Sequence, residues 1–174
     1  RLHPFILVAQ FAENFAYKHS DFVVSMLPNT YGYMRTHGME AQKWSHIPNG
    51  ICEREWIECS PYNSDIELTL KQLRKSGKLL ISYVGTFGLA NALNVLLDAA
   101  PKVSEFAEII LLGDGPEKNK LQTYIRNNSV SNVTFINPIS KKCVPKFLAN
   151  IDVAYIGLMP QPLFRFGITP NKLF

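Results

Sequence analysis

With 174 residues, 47% of them hydrophobic and 18% charged, the chain has enough apolar material for one domain with a real core, or for one domain and a piece of another; a disordered or fibrous protein is excluded. The net charge of +4 comes from 18 basic and 14 acidic residues spread along the chain, which excludes a nucleic-acid-binding tail and suits an anionic small ligand, an anionic membrane surface or simple solubility equally. Cys52, Cys59 and Cys143 are odd in number and lack metal-ligand spacing, so they read as free thiols of a reducing compartment, no metal is expected, and no apolar run is long enough to span a bilayer.

In chain order, residues 6–18 carry a roughly helical apolar pattern and 22–26 read as a short buried strand. Pro28, Asn29 and Gly32 mark a turn, 33–36 allow one or two helical turns, and Gly38 is a C-cap signal. A short strand at 46–47 is stopped by Pro48-Asn49-Gly50, a turn signal. Periodicity is lost over 51–63, which reads as a linker. Ser64 with Glu67 three residues later forms a capping box for a helix ending at Gly77.

From there strands and helices alternate. The strand at 79–84 ends at Gly85, and Leu89, Ala92, Leu93, Leu96, Leu97 and Ala100 form the stripe of a helix starting just after Gly88. The strand at 108–112 is followed by Gly113-Asp114-Gly115-Pro116, with proline set for the first helical position and a helix bearing Leu121, Tyr124 and Ile125. A third strand, 132–136, runs into a turn at 137–140 with Ser140 as a cap, then a helical stripe over 144–151. A fourth strand, 152–156, is closed by Gly157; a loop over 158–169 follows, and 170–174 resemble a first helical turn. The lack of a starting methionine and the stop at Phe174 read as a chain cut from something longer.

Apolar strands alternating with helices predict an α/β fold, a Rossmann-like parallel sheet with helices on both faces, preceded by the tail of a second α/β domain. The expected boundaries are 1–59 for that tail and the crossover, and 60–174 for the sheet domain. Right-handed crossovers gather the strand-to-helix turns at one edge, where doubly wound sheets bind ligands. Glycine turns there admit a phosphate to backbone N–H groups. Arg165 and Lys172, in or beside the last loop, are candidate partners for a diphosphate. Each feature also has a structural account: Gly85 and Gly88 as plain turn glycines, Asp114 as a helix cap, Arg165 as a solvated loop cation. His3, His19, His37 and His46 lack a paired carboxylate at useful spacing and are not expected to be catalytic.

Ile47-Pro48-Asn49-Gly50, Tyr83-Val84-Gly85-Thr86-Phe87-Gly88, Leu112-Gly113-Asp114-Gly115-Pro116, Asn132-Val133-Thr134-Phe135, Asp152-Val153-Ala154 and the run from Phe166 to Phe174, in this order, resemble family 4 glycosyltransferases of the two-domain GT-B fold. The similarity is greatest to the bacterial polysaccharide branch with its amino-sugar and fucosamine transferases. The resemblance implies a domain that binds a nucleoside-diphosphate sugar, metal-free and cofactor-free transfer to an acceptor hydroxyl with retention, and a cytoplasmic enzyme acting on a glycan or lipid-linked glycan, peripherally associated with the inner membrane face. The sites it implies are Gly85, Thr86, Gly88 and Asn91 at the diphosphate, then Gly113, Asp114, Gly115, Pro138 and Ile139 around the nucleobase. Thr169, Asn171, Lys172 and Leu173 are implied at the diphosphate and sugar, and Arg165 is proposed beside them as a source of charge.

The chain departs from the family pattern at several points. Thr86 and Asn91 stand where many members carry an Arg and a Lys that neutralise the leaving group. The spaced pair of glutamates is also missing: Gly167 holds the first place, and the second falls past Phe174. The catalytic groups are expected outside this stretch, and the stretch alone is expected to be inactive. The alternatives are a GT-B nucleotide-sugar epimerase, which needs carboxylates not found here, and a non-catalytic nucleotide-binding or receiver-like module, which would want aspartates clustered at strand ends.

Overall fold

The computed structural model describes residues 3–58 and 60–169, with Glu55 described in its backbone only. The described residues divide into two compact units: 3–51 together with 160–169, and 52–58 with 60–159. The sequence reading divides the chain once, at 59; the structure divides it after 51 and again after 159, so the end of the long loop belongs with the first unit.

In the first unit, helix α1 (Pro4–His19) starts with proline at its first turn and a His3 side chain accepting from the Phe5 amide, and it ends on Lys18 and His19, cations suited to the negative end of the helix dipole. Strand β1 (Val23–Ser25), helix α2 (Tyr31–Thr36) and strand β2 (Trp44–His46) follow, and β1 pairs with β2 in parallel. Both strands are shifted or shorter than the apolar runs suggest, because only three residue pairs align across them. Glu13 anchors α1 to α2, its carboxylate accepting from Tyr17 at 2.8 Å and Tyr33 at 3.1 Å. Burial first, then the Glu13 hydrogen bond, raise the Tyr17 hydroxyl well above its ordinary range. Residues Pro162–Phe166 form a 3-10 turn of this unit.

The second unit opens with helix α3 (Glu53–Ile57), inside the stretch expected to be a linker; five residues are too few to show a helical stripe. Helix α4 (Ser64–Arg74) is capped by Asn63, not by Ser64: Asn63 sits in extended backbone and its Oδ1 accepts from the Asp65 amide at 2.9 Å. Glu67 therefore closes no capping box and pairs with Lys71 at 2.9 Å.

Then come strand β3 (Leu79–Val84), a 3-10 turn (Leu89–Asn91), helix α5 (Leu93–Val103), strand β4 (Ala107–Leu112), helix α6 (Lys118–Asn127), strand β5 (Val133–Ile136), a 3-10 turn (Lys141–Cys143), helix α7 (Val144–Leu148) and strand β6 (Val153–Ala154). Helix α5 starts at Leu93 and not after Gly88, because Ala92 takes a left-handed conformation (φ 47°) that breaks the stripe and leaves Leu89 exposed. Strand β6 keeps two of its five expected residues at the edge of the sheet.

The sheet has the order β5-β4-β3-β6, and every pair is parallel. Side chains alternate across it, as the pleat requires. On one face Tyr83, Ile109 and Leu111 pack with Leu93, Leu96 and Leu97 of α5 and Leu121 of α6. On the other, Leu80, Ile110, Leu112 and Ile136 pack with Leu70 of α4 and Phe147 of α7. This is the expected Rossmann-like architecture with helices on both faces. No helix among the described residues is long and apolar enough to cross a membrane.

Candidate functional site

In a parallel sheet all carboxyl ends meet one edge. Here β3 is flanked by β4, its successor, on one side and by β6 on the other. The strand order reverses at the β3/β6 boundary, and a crevice outside the strand ends at such a point is where open α/β sheets take ligands. The backbone ladder runs on into the turns: Gly85 N donates to Leu112 O at 2.9 Å, and Gly113 N to Ile136 O at 3.0 Å.

The turns after β3 and β4 touch main chain to main chain. Gly113 has φ +146°, and a Cβ there would stand 1.9 Å from the Gly85 carbonyl oxygen; a Cβ on Gly115 (φ +157°) would meet Phe87 N and O at 2.7 Å. Phe87 N donates to Asp114 O at 2.8 Å, and Glu117 N to Phe87 O at 3.0 Å. Gly113 and Gly115 are thus required by close backbone approach. Gly88 is different: its φ is −103°, and a Cβ would meet only the Asn91 side chain, at 3.5 Å. The loop after β6 lies against the turn after β3, with Met159 N donating to Ala90 O at 2.9 Å and Gly157 too close to Asn91 O to accept a Cβ.

Within the first turn, the Thr86 carbonyl accepts from Tyr83 Oη at 2.7 Å, Asn91 Nδ2 at 2.9 Å and Gly88 N at 2.9 Å. Burial pushes the Tyr83 hydroxyl up to about 12, so it stays protonated and donating. Asn91, expected at the diphosphate, turns its amide toward the loop's own carbonyl. Beyond it, Ala92 is the N-cap of α5 and offers no side-chain cap, so the N–H groups of the helix's first turn receive no side-chain acceptor from that residue.

Asp114 does not cap α6. Its Oδ1 accepts from Gly115 N at 2.7 Å and its Oδ2 lies 3.4 Å from Lys118 Nζ, while the N-cap position is Glu117. Pro116 accordingly precedes the helix instead of opening it. Lys118, which the sequence does not single out, also donates to Asn137 Oδ1 at 3.2 Å and so ties the β4 turn to the β5 turn. Its spacing of four from Asp114 is the one signal that could have found it. Pro138 and Ile139 line a cavity of about 500 Å³ together with Pro61, Tyr62, Asn63 and Thr69. Ser140 begins a 3-10 turn with no side-chain cap bond, its hydroxyl lying 3.1 Å from Cys143 Sγ.

Arg165 and Thr169 belong to the first unit. The Arg165 guanidinium lies 4.7 Å from the centre of the Phe166 ring, a cation–π contact. Thr169 is held by Asn49, whose Nδ2 donates to the Thr169 carbonyl. Asn171, Lys172 and Leu173 lie outside the described residues. Asp152 accepts from Arg74 and from Leu80 N at the amino end of β6. No group of three His, Cys, Asp or Glu among the described residues could hold a metal ion.

Residues 78–169 match the family described as glycosyl transferases group 1. No curated protein matches the chain. Among solved structures, HepE (Alr3699) of Anabaena in complex with UDP and glucose is similar at a TM-score of 0.67 and 21% identity, over 88% of this chain and 42% of that one. WaaG, a glycosyltransferase involved in lipopolysaccharide biosynthesis, gives 0.62 and 13%, over 92% and 46%. The catalytic domain of starch synthase IV from Arabidopsis thaliana, bound to ADP and acarbose, gives 0.60 and 16%, over 86% and 37%. The chain spans less than half the length of each, and at these identities the likeness is one of fold, the α/β fold of GT-B glycosyltransferases.

Proposed function

The chain belongs to the glycosyl transferases group 1, and from that premise we propose that it supplies the nucleotide-sugar side of an enzyme that moves a sugar from a nucleoside diphosphate to an acceptor hydroxyl. The observation that carries the reading is the strand order β5-β4-β3-β6, which sets the turns at Gly85 and Gly157 on either side of a topological switch. HepE with UDP and glucose, and starch synthase IV with ADP, share a diphosphate but not a base. The diphosphate is therefore the part of the donor proposed here, with the base left to experiment.

In this reading the acceptor hydroxyl attacks the anomeric carbon as the bond to the diphosphate oxygen breaks. The protein has to stabilise the negative charge growing on the departing group. Backbone N–H groups at the start of α5, which receives no side-chain cap, supply part of that field. Arg165 and Lys172 are proposed to supply cationic charge in place of the family's Arg and Lys, because Thr86 and Asn91 carry none. Gly113, Asp114, Gly115, Pro138 and Ile139 are proposed to border the base, and Thr169, Asn171 and Leu173 to border the diphosphate and sugar. Retention, membership of family 4, catalysis without metal or cofactor, a glycan or lipid-linked acceptor in bacterial polysaccharide synthesis, and action at the inner membrane face are parts of the same proposal, supported by the motif resemblance. So is inactivity of this chain alone.

Calorimetric titration of the chain with UDP, GDP and ADP tests the reading. Saturable binding of at least one is expected, weakened in Lys172→Ala by roughly 1.5–3 kcal/mol, the worth of a charge-assisted hydrogen bond. Absence of binding to all three rejects the site; unchanged binding in the variant rejects the role of Lys172.

A further inference from the structure

We propose that Tyr83 and Asn91 are positioning residues that hold the Thr86 carbonyl away from the diphosphate, an inference that rests on the reading above. A carbonyl oxygen has two lone pairs, yet Thr86 O draws three donors: the Tyr83 hydroxyl, the Asn91 amide and the Gly88 N–H. The other end of the same peptide unit is fixed as well, because Phe87 N donates to Asp114 O.

Such clamping has a purpose in this place. Thr86 is exposed and lies just past the carboxyl end of β3, so the orientation of the 86–87 peptide decides which of its two ends faces the ligand side of the turn. Rotation would bring the carbonyl dipole, negative end outward, toward an anionic ligand. Held inward, the oxygen is neutralised by its donors, and the field at the strand end is set by N–H groups and the uncapped start of α5. Tyr83 is well placed to do this, since its ring is wholly buried between Phe87 and the α5 face and only its hydroxyl reaches the turn. Asn91 donates from the opposite end of the loop. The position where the family places a lysine thus acts here through the backbone and not through charge.

The test compares Tyr83→Phe and Asn91→Ala with the unaltered full chain, by ligand-detected NMR titration of UDP against uridine and of ADP against adenosine, with thermal melts alongside. Tyr83→Phe keeps the buried ring and Asn91 is only half-buried, so at least one variant is expected to fold. The expected result is a loss of diphosphate affinity of roughly tenfold, the equivalent of about one hydrogen bond, with nucleoside affinity unchanged. Nucleoside and diphosphate affinities falling together would show a general structural role and overturn the inference, as would unaltered diphosphate binding in both variants. An unaltered chain that binds no nucleotide overturns the reading of the site, and the inference with it.

Discussion

Asn49 grips Thr169 at two points. Its Nδ2 donates to the Thr169 carbonyl at 2.7 Å, and its backbone N–H lies 3.4 Å from Thr169 Oγ1, across 120 positions of sequence. Close by in the chain, Asn29 N donates to Phe166 O at 3.0 Å, and Gly167, at φ +104°, lies so near Pro28 that a Cβ would stand 2.6 Å from its ring. The segment leading to Thr169 is thus pinned along its length to the turns after β1 and β2. The Pro-Asn-Gly run, read from sequence as a chain reversal, also provides an anchor.

Asn49→Ala is expected to lower the stability of the first unit by about 1–2 kcal/mol, the range for a lost, partly buried hydrogen bond. Asn49→Asp is expected to cost at least as much, since a carboxylate cannot donate to the carbonyl it would face. Denaturant unfolding followed by the fluorescence of Trp44, which lies in that unit, measures both.

Gly113→Ala is expected to destabilise the second unit by about 3 kcal/mol or more, because the added carbon meets the Gly85 oxygen and the backbone sits where L residues are strained. Gly88→Ala is expected to stay within about 1 kcal/mol of the parent. A thermal melt of each decides; equal losses would mean that crowding at the β4 turn is not what selects its glycine.

Asp152 is held below its ordinary value of 3.8, first by the Arg74 hydrogen bond and then by the Leu80 amide. A carboxyl whose folded value lies below its unfolded one stabilises the fold fully above the unfolded value and ceases to as pH falls through the folded one. Asp152→Asn is therefore expected to weaken the protein at neutral pH and to flatten the decline of its stability on the acid side of 3.8. Urea unfolding at neutral and acid pH checks this, and parallel acid profiles for variant and parent would refute it.

Asn132 is buried at 2% exposure and donates through Nδ2 to the carbonyls of Ala100, at 2.8 Å, and Ala107, at 3.1 Å. It joins the end of α5 to the start of β4. Asn132→Ala strands both acceptors and is expected to cost about 2–4 kcal/mol in denaturant unfolding. A loss under about 1 kcal/mol would show that water replaces the amide.

Strands β3, β4 and β5 are legible in the sequence because each is an apolar run closed by a turn, and β3 and β4, in the middle of the sheet, are covered on both faces. Helix α3 is not, since five residues do not complete two turns. Strand β6 is shorter than its apolar run suggests: Val153 and Ala154 pair with β3, but past them the chain turns into the close approach of Gly157 to Asn91. At the site, Gly85 and Gly113 are readable as turns, yet the crowding that requires glycine at 113 comes from the Gly85 carbonyl and depends on the β3–β4 register. Lys118 stays hidden for a similar cause, as its bridge from Asp114 to Asn137 exists only once β5 lies beside β4. Tyr83 looks in the sequence like one more core aromatic, because the destination of a hydroxyl is not written in hydrophobic periodicity.

The contact of Gly113 with the Gly85 oxygen gives the two turns a single shared shape. A library that randomises one while freezing the other would mostly collect misfolded clones, whereas joint variation of 85–88 and 113–116 could find new compatible pairs. Any attempt to retune what this edge of the sheet accepts has to treat both stretches as one mutable unit.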